Sequence, residues 1–197
     1  MYGLPITVDI QDKVYAIRNN GDYRMVLDCF NALNDVELSE TERIITSIYI
    51  FYSEFEGVED ILCLDEGTLI ELVSKMFDFM NCGSENSPAK PMNFKTIDWE
   101  VDEQLICSAI NNVANTEIRS VEYCHWWTFM GYFCAVGESA LSTVVGIRSK
   151  IAKGKKLEKY EMEFRRDNPQ YFVWDSRTLK QKEEDELLRQ LWNSEEK

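Results

Sequence analysis

One histidine, four prolines and nine glycines among 197 residues leave little material for several familiar chemistries. With His125 as the sole imidazole, a metal site needing two or more histidines cannot form within one chain. Gly-x-Gly-x-x-Gly is absent, and the residue five before Gly154-Lys155 is Ser149 rather than glycine, so a dinucleotide or P-loop phosphate cradle has no template. Six cysteines (Cys29, Cys63, Cys82, Cys107, Cys124, Cys134) lie far apart without a Cys-x-x-Cys pair, mostly inside apolar helical patterns. Buried, reduced thiols of a cytosolic protein are expected, rather than a disulfide framework or zinc ligands. Charges interrupt every hydrophobic stretch before a bilayer-spanning length, and the first residues show no basic run leading into an apolar one. Neither a membrane anchor nor an export signal is expected.

What is present is enough to close a core. Hydrophobic residues make up 45% and aromatic residues 12% of the chain, consistent with one domain over residues 1–174 followed by a charged tail, 175–197. The formal net charge is −14, which repels nucleic acid and anionic membranes. The distribution is uneven: residues 1–145 carry −16 and residues 146–166 carry +5. A basic strip follows an acidic body.

Hydrophobic spacing predicts a mainly α fold. Alternation at Ile6, Val8 and Ile10, a turn at Gln11-Asp12, and an extended pattern resuming at Val14 suggest a small hairpin over 5–18, closed by Asn19-Asn20-Gly21. Asp22 is placed to cap a first helix carrying Tyr23, Val26, Leu27, Phe30 and Leu33 on one face. Ser39 and Glu42 have capping-box spacing ahead of a broad apolar stripe, Ile44, Ile45, Ile48, Phe51 and Tyr52. Asp65 or Thr68 caps a third helix, with Asn81-Cys82-Gly83 as a left-handed stop. Residues 82–96 read as a flexible loop rich in Gly, Ser, Asn and Pro. Beyond it come helices built on Leu105 to Val113, on Trp126 to Cys134, on Leu141 to Ile151 with a break at Gly154, and on residues 157–166. An aromatic extended stretch at Tyr171, Phe172 and Trp174 precedes the tail, which is predicted to be helical.

Candidate chemistry is sparse. Cys124 and His125 are adjacent, and consecutive helix positions do not face one another, which argues against both a shared metal and a nucleophile–base pair. Asp98, Glu100, Asp102 and Glu103 cluster as acid/base carboxylates do, but they precede a predicted helix, where negative charge favours the dipole. Arg148, Lys150, Lys153, Lys155, Lys156, Lys159, Arg165 and Arg166, with Tyr160 and Phe164 interleaved, form the basic strip. Such a strip suits a nucleic-acid backbone, an acidic partner or plain solvation, and the acidic body opposes the first. Trp126 and Trp127 point about 100° apart on a helix, so one can anchor the core while the other meets a neighbouring element or a partner.

The order of these features resembles the gene-product-15 family of long-tailed phages. Asp102, Ile106 and Ala109 match an acidic helix of that family loosely. His125, Trp126, Trp127 and Phe129 match its Leu-His-Trp-Trp-Lys-Phe motif closely, and Ile147-Arg148 with the lysine-rich stretch matches what comes next. Leu33-Asn34-Asp35 agrees with the end of its first helix. Cys124 and Thr128 depart from the motif's leucine and lysine.

The resemblance implies a noncatalytic tail-assembly chaperone without cofactor or metal. Its partner would be the tape-measure protein, which it keeps soluble in the host cytoplasm before the tail tube polymerises; the chaperone would then be absent from the mature virion. Neighbouring tail proteins and a second copy of the chain are further partners to consider; a membrane is not, and nucleic acid is not expected. On this reading His125, Trp126, Trp127, Met130, Phe133 and Arg148 are the candidate partner-binding residues. The rival readings are a structural or tail-completion component of the virion and, further off, a nucleic-acid-binding regulator.

Overall fold

A computed structural model describes residues 3–83, 96–172 and 187. Where the sequence suggests one domain over 1–174, the chain clusters into two compact units, residues 1–87 with 120–131, and residues 88–119 with 132–197. Mainly helical structure with an N-terminal hairpin is what the described residues show.

In the first unit, β1 (Thr7–Ile10) pairs antiparallel with β2 (Lys13–Ala16), Thr7 opposite Ala16 and Ile10 opposite Lys13. The two-residue turn places Gln11 and Asp12 at φ 47° and 64°, the left-handed pair whose twist suits a hairpin. Helix α1 (Tyr23–Leu33) starts at Asp22, whose carboxylate accepts from the Arg24 N–H at 3.0 Å. Helix α2 (Glu40–Phe51) carries the anticipated reciprocal cap between Ser39 and Glu42. Ser39→Ala is expected to cost about 1 kcal/mol; an unchanged urea midpoint would show that the cap contributes nothing.

The short helix α3 (Val58–Leu62) is not legible in the sequence, because five residues are too few to show a period. Its start is held by Asp60, whose carboxylate accepts the N–H groups of Glu56 and Gly57. Helix α4 (Glu66–Met80) is capped by Asp65 rather than Thr68, with the Thr68 N–H donating to Asp65 at 3.0 Å. It ends in a Schellman arrangement: Cys82 and Gly83 adopt φ 56° and 66°, and their N–H groups bond the carbonyls of Phe79 and Asp78. The core gathers Val26, Cys29, Ile48, Phe51, Tyr52, Ile61, Leu72 and Met76, all without solvent exposure. The Tyr52 hydroxyl is satisfied there by the Leu72 carbonyl at 2.8 Å.

The chain leaves the first unit within helix α6 (Trp126–Cys134). The second unit contains α5 (Glu103–Ala114), α7 (Ala140–Ala152) and α8 (Lys159–Asp167). Asn115 at φ 52° stops α5, Ser139 and Ser142 cap α7, and Gly154 at φ 64° ends it as expected. Leu105, Ile106, Ile110, Leu141, Val144 and Ile147 form its core. The extended stretch expected at Tyr171 and Phe172 is instead a 3₁₀ turn, Pro169–Tyr171. Pro169 supplies the fixed φ that starts such a turn. Trp174, most of the 82–96 loop and the 175–197 tail lie outside the described residues, apart from an exposed, helical Leu187.

The thiols divide sharply. Burial pushes Cys29 up to about 12, and Cys107 and Cys124 are also raised by burial, whereas Cys63 and Cys134 are exposed. A raised thiol pKa leaves less thiolate at a given pH. Labelling at pH 8 with an aromatic disulfide should therefore modify Cys63 and Cys134 quickly and Cys29 only on unfolding. Fast loss of the Cys29 thiol in the native protein would contradict this packing.

Candidate functional site

The His-Trp-Trp motif is built into the first unit as a fastener. Asp22 accepts from the Cys124 N–H at 2.9 Å, the Tyr23 N–H donates to the Cys124 carbonyl at 2.9 Å, and Arg24 bonds both Asp22 and the Val121 carbonyl. These bonds stitch the chain before α6 to the start of α1. The His125 Nδ1 accepts the Trp127 N–H at 3.0 Å, so its Nε2 carries the hydrogen and donates to the Pro5 carbonyl at 3.0 Å. Trp126 Nε1 donates to the Met80 carbonyl at 2.8 Å and Trp127 Nε1 to the Phe79 carbonyl at 2.9 Å. Two adjacent indoles thus satisfy two consecutive carbonyls at the C-terminus of α4, where intrahelical donors run out.

Aromatic stacking completes the fastener. Phe129 lies flat on Tyr23 at 4.4 Å between ring centroids, and Trp126 is stacked with Phe129 at 5.7 Å. Gly21, at φ 76°, packs against Phe79 and His125, where an added Cβ would lie 2.7 Å from Phe79 and 3.0 Å from His125. Both the left-handed backbone and the close rings require glycine there.

Sequence reasoning singled out six residues for partner contact, and three of them are internal. His125 and Trp126 are 1% exposed and Arg148 is 5% exposed. Trp127 and Met130 are half-buried in the first unit, while Phe133, also half-buried, meets Trp99 in the second at 5.2 Å. Arg148 makes two bonds to Asp102, at 2.6 and 2.9 Å, and further bonds to the carbonyls of Thr96 and Tyr171. The acidic cluster before α5 therefore resolves into separate tasks. Asp98 accepts from the N–H groups of Glu100 and Val101, and Asp102 neutralises Arg148 inside the second unit.

An open apolar groove in the first unit is the feature that sequence reasoning did not single out. It has a volume of about 770 Å³ and lies among α2, α3 and α4. Ile48 and Ile61, fully buried, form the floor; Ile44, Ile45, Leu69 and Val73, half-buried, form the walls. Leu62 and Ile70, 63% and 61% exposed, form the lips, with Glu40, Thr41 and Glu66 at the rim. Its sequence signal was the width of the α2 stripe, which exceeds what one buried face needs. A second signal is charge: from residue 44 to residue 74 there are seven acidic residues and no lysine or arginine. The fastener bears on this groove, since α4 supplies one wall at its N-terminal half and is held by Trp126 and Trp127 at its C-terminal end.

Among the described residues no group of three or more His, Cys, Asp and Glu side chains is arranged to hold a metal ion, and no helix is long and apolar enough to cross a membrane. No curated protein and no solved structure matches the chain. A family of bacteriophage proteins does match, described as Bacteriophage Gp15 protein, and its span of residues 2–172 takes in the hairpin, the groove, the fastener and the Asp102–Arg148 pair. The chain belongs to the Bacteriophage Gp15 protein family.

Proposed function

We propose that this phage protein is a noncatalytic tail-assembly chaperone that binds the tape-measure protein in the host cytoplasm and keeps it soluble until the tail tube grows around it. The observation that carries this reading is the groove of α2, α3 and α4, open and apolar, with Glu40 and Glu66 at its opening. A long helical protein with apolar stripes aggregates unless those stripes are covered. A groove with buried isoleucines at its floor and exposed Leu62 and Ile70 at its lips suits helix-in-groove binding. The surrounding negative charge disperses the coated complex.

Co-expression with the tape-measure protein tests it. Copurification and a partner soluble only in the presence of this chain are the expected results, with both reduced at least several-fold by Ile70→Asp. Ile70 is largely exposed, so that substitution should leave the helical circular dichroism spectrum unchanged. An insoluble partner and no complex would reject the chaperone reading in favour of a component retained in the virion, which mass spectrometry of purified particles would detect.

A further inference from the structure

The structure assigns a specific kind of occupant to the groove: an amphipathic helix with an aliphatic stripe and lysine or arginine at its flanks. The inference rests on the chaperone reading for the groove's use and adds the chemistry by which a segment is chosen.

Length comes from the lining residues. On α2 they run from Glu40 to Ile48, about 12 Å at the helical rise, room for two turns of a partner helix or a little more. An occupant therefore presents apolar residues at i, i+3, i+4 and i+7 and has its polar flanks at the groove's rim. The sign of those flanks comes from charge. Residues 35–80, which take in α2, α3 and α4, hold twelve acidic side chains and two basic ones, Arg43 and Lys75, and Lys75 does not line the groove. Arg43 is buried and donates to the Asp35 carbonyl, so it adds no cation to the rim. Asp65, Glu42 and Asp60 are engaged by Thr68, Ser39 and the α3 start, while Glu40 and Glu66 line the opening itself. An acidic flank on the occupant would meet like charge at Glu40 and Glu66. The same reasoning disfavours residues 176–197 of this chain, whose apolar Leu187 and Leu188 follow four consecutive acidic residues.

Two synthetic helices of about 14 residues, identical in their leucine stripe and flanked by lysine in one and by glutamate in the other, test the assignment by fluorescence anisotropy with the full-length protein. The lysine peptide should bind about tenfold more tightly at low salt, the difference shrinking to about twofold at 0.5 M salt. Glu40→Lys with Glu66→Lys should invert the preference, and Ile70→Asp should abolish binding of both peptides. Equal affinity for the two peptides would overturn the assignment. So would a peptide of residues 176–197 binding as tightly as the lysine peptide, or a self-associated protein that Ile70→Asp renders monomeric, since either makes this chain its own occupant. Tape-measure copurification that survives Ile70→Asp and the charge reversal would overturn the groove assignment and leave the chaperone reading standing. Tight, charge-selective peptide binding without any tape-measure complex would do the reverse.

Discussion

Arg148→Met is expected to lower the stability of the second unit by about 3–5 kcal/mol, because it strands the Asp102 carboxylate in the interior. The Asp102 side chain has no solvent exposure and the Arg148 side chain 4%, so water cannot take over the lost bonds. The guanidinium also serves the carbonyls of Thr96 and Tyr171, and an uncharged methionine satisfies neither. Adding Asp102→Leu to Arg148→Met removes the stranded charge and should recover part of the loss, the remainder reflecting the two carbonyls. Urea unfolding followed by tryptophan fluorescence checks both variants. A shift under about 1 kcal/mol for Arg148→Met would mean that the pair is solvated in solution.

Trp126→Ala is expected to cost about 3–5 kcal/mol, and Trp127→Phe only about 0.5–1.5 kcal/mol. Trp126 is among the largest fully buried side chains, and its removal takes away the ring beside Phe129 together with the donor to Met80. Trp127→Phe keeps a ring beside Phe79 and removes one bond to the Phe79 carbonyl, which still accepts from the Cys82 N–H. The contrast has a practical consequence. A loss of partner binding in Trp126→Ala reports damage to the first unit, whereas the same loss in Ile70→Asp reports the groove. Similar thermal midpoints for Trp126→Ala and the wild-type chain would contradict the fastener geometry.

The helices were legible because their signals are local. Ser39 with Glu42, Asp22, Asp65 and Gly154 each mark an end through a bond or a backbone angle that neighbouring residues decide. Five-residue α3 was not, since Val58–Leu62 spans little more than one turn. The His-Trp-Trp motif stood out in the sequence, but its task did not. Nothing local says that two indoles would reach the carbonyls of Phe79 and Met80, 48 and 46 positions away. The pairing of Asp102 with Arg148, 46 positions apart, is hidden for the same reason. The groove was half visible. Ile44 and Ile45 belong to the apolar stripe of α2, and only packing shows that α2, α3 and α4 leave them facing an opening. A pattern of apolar residues fixes which face is sticky, not whether the chain itself covers it.

The most direct test of the central claim is site-specific photo-crosslinking during co-expression with the tape-measure protein. A benzophenone amino acid is placed in turn at Leu62, at Ile70 and, as an equally exposed control on α8, at Tyr160. Adducts to the tape-measure protein from positions 62 and 70, and none from 160, are the predicted result. Adducts from 160 alone, or none from any of the three beside a tape-measure protein that stays soluble, would contradict docking in the α2–α4 groove.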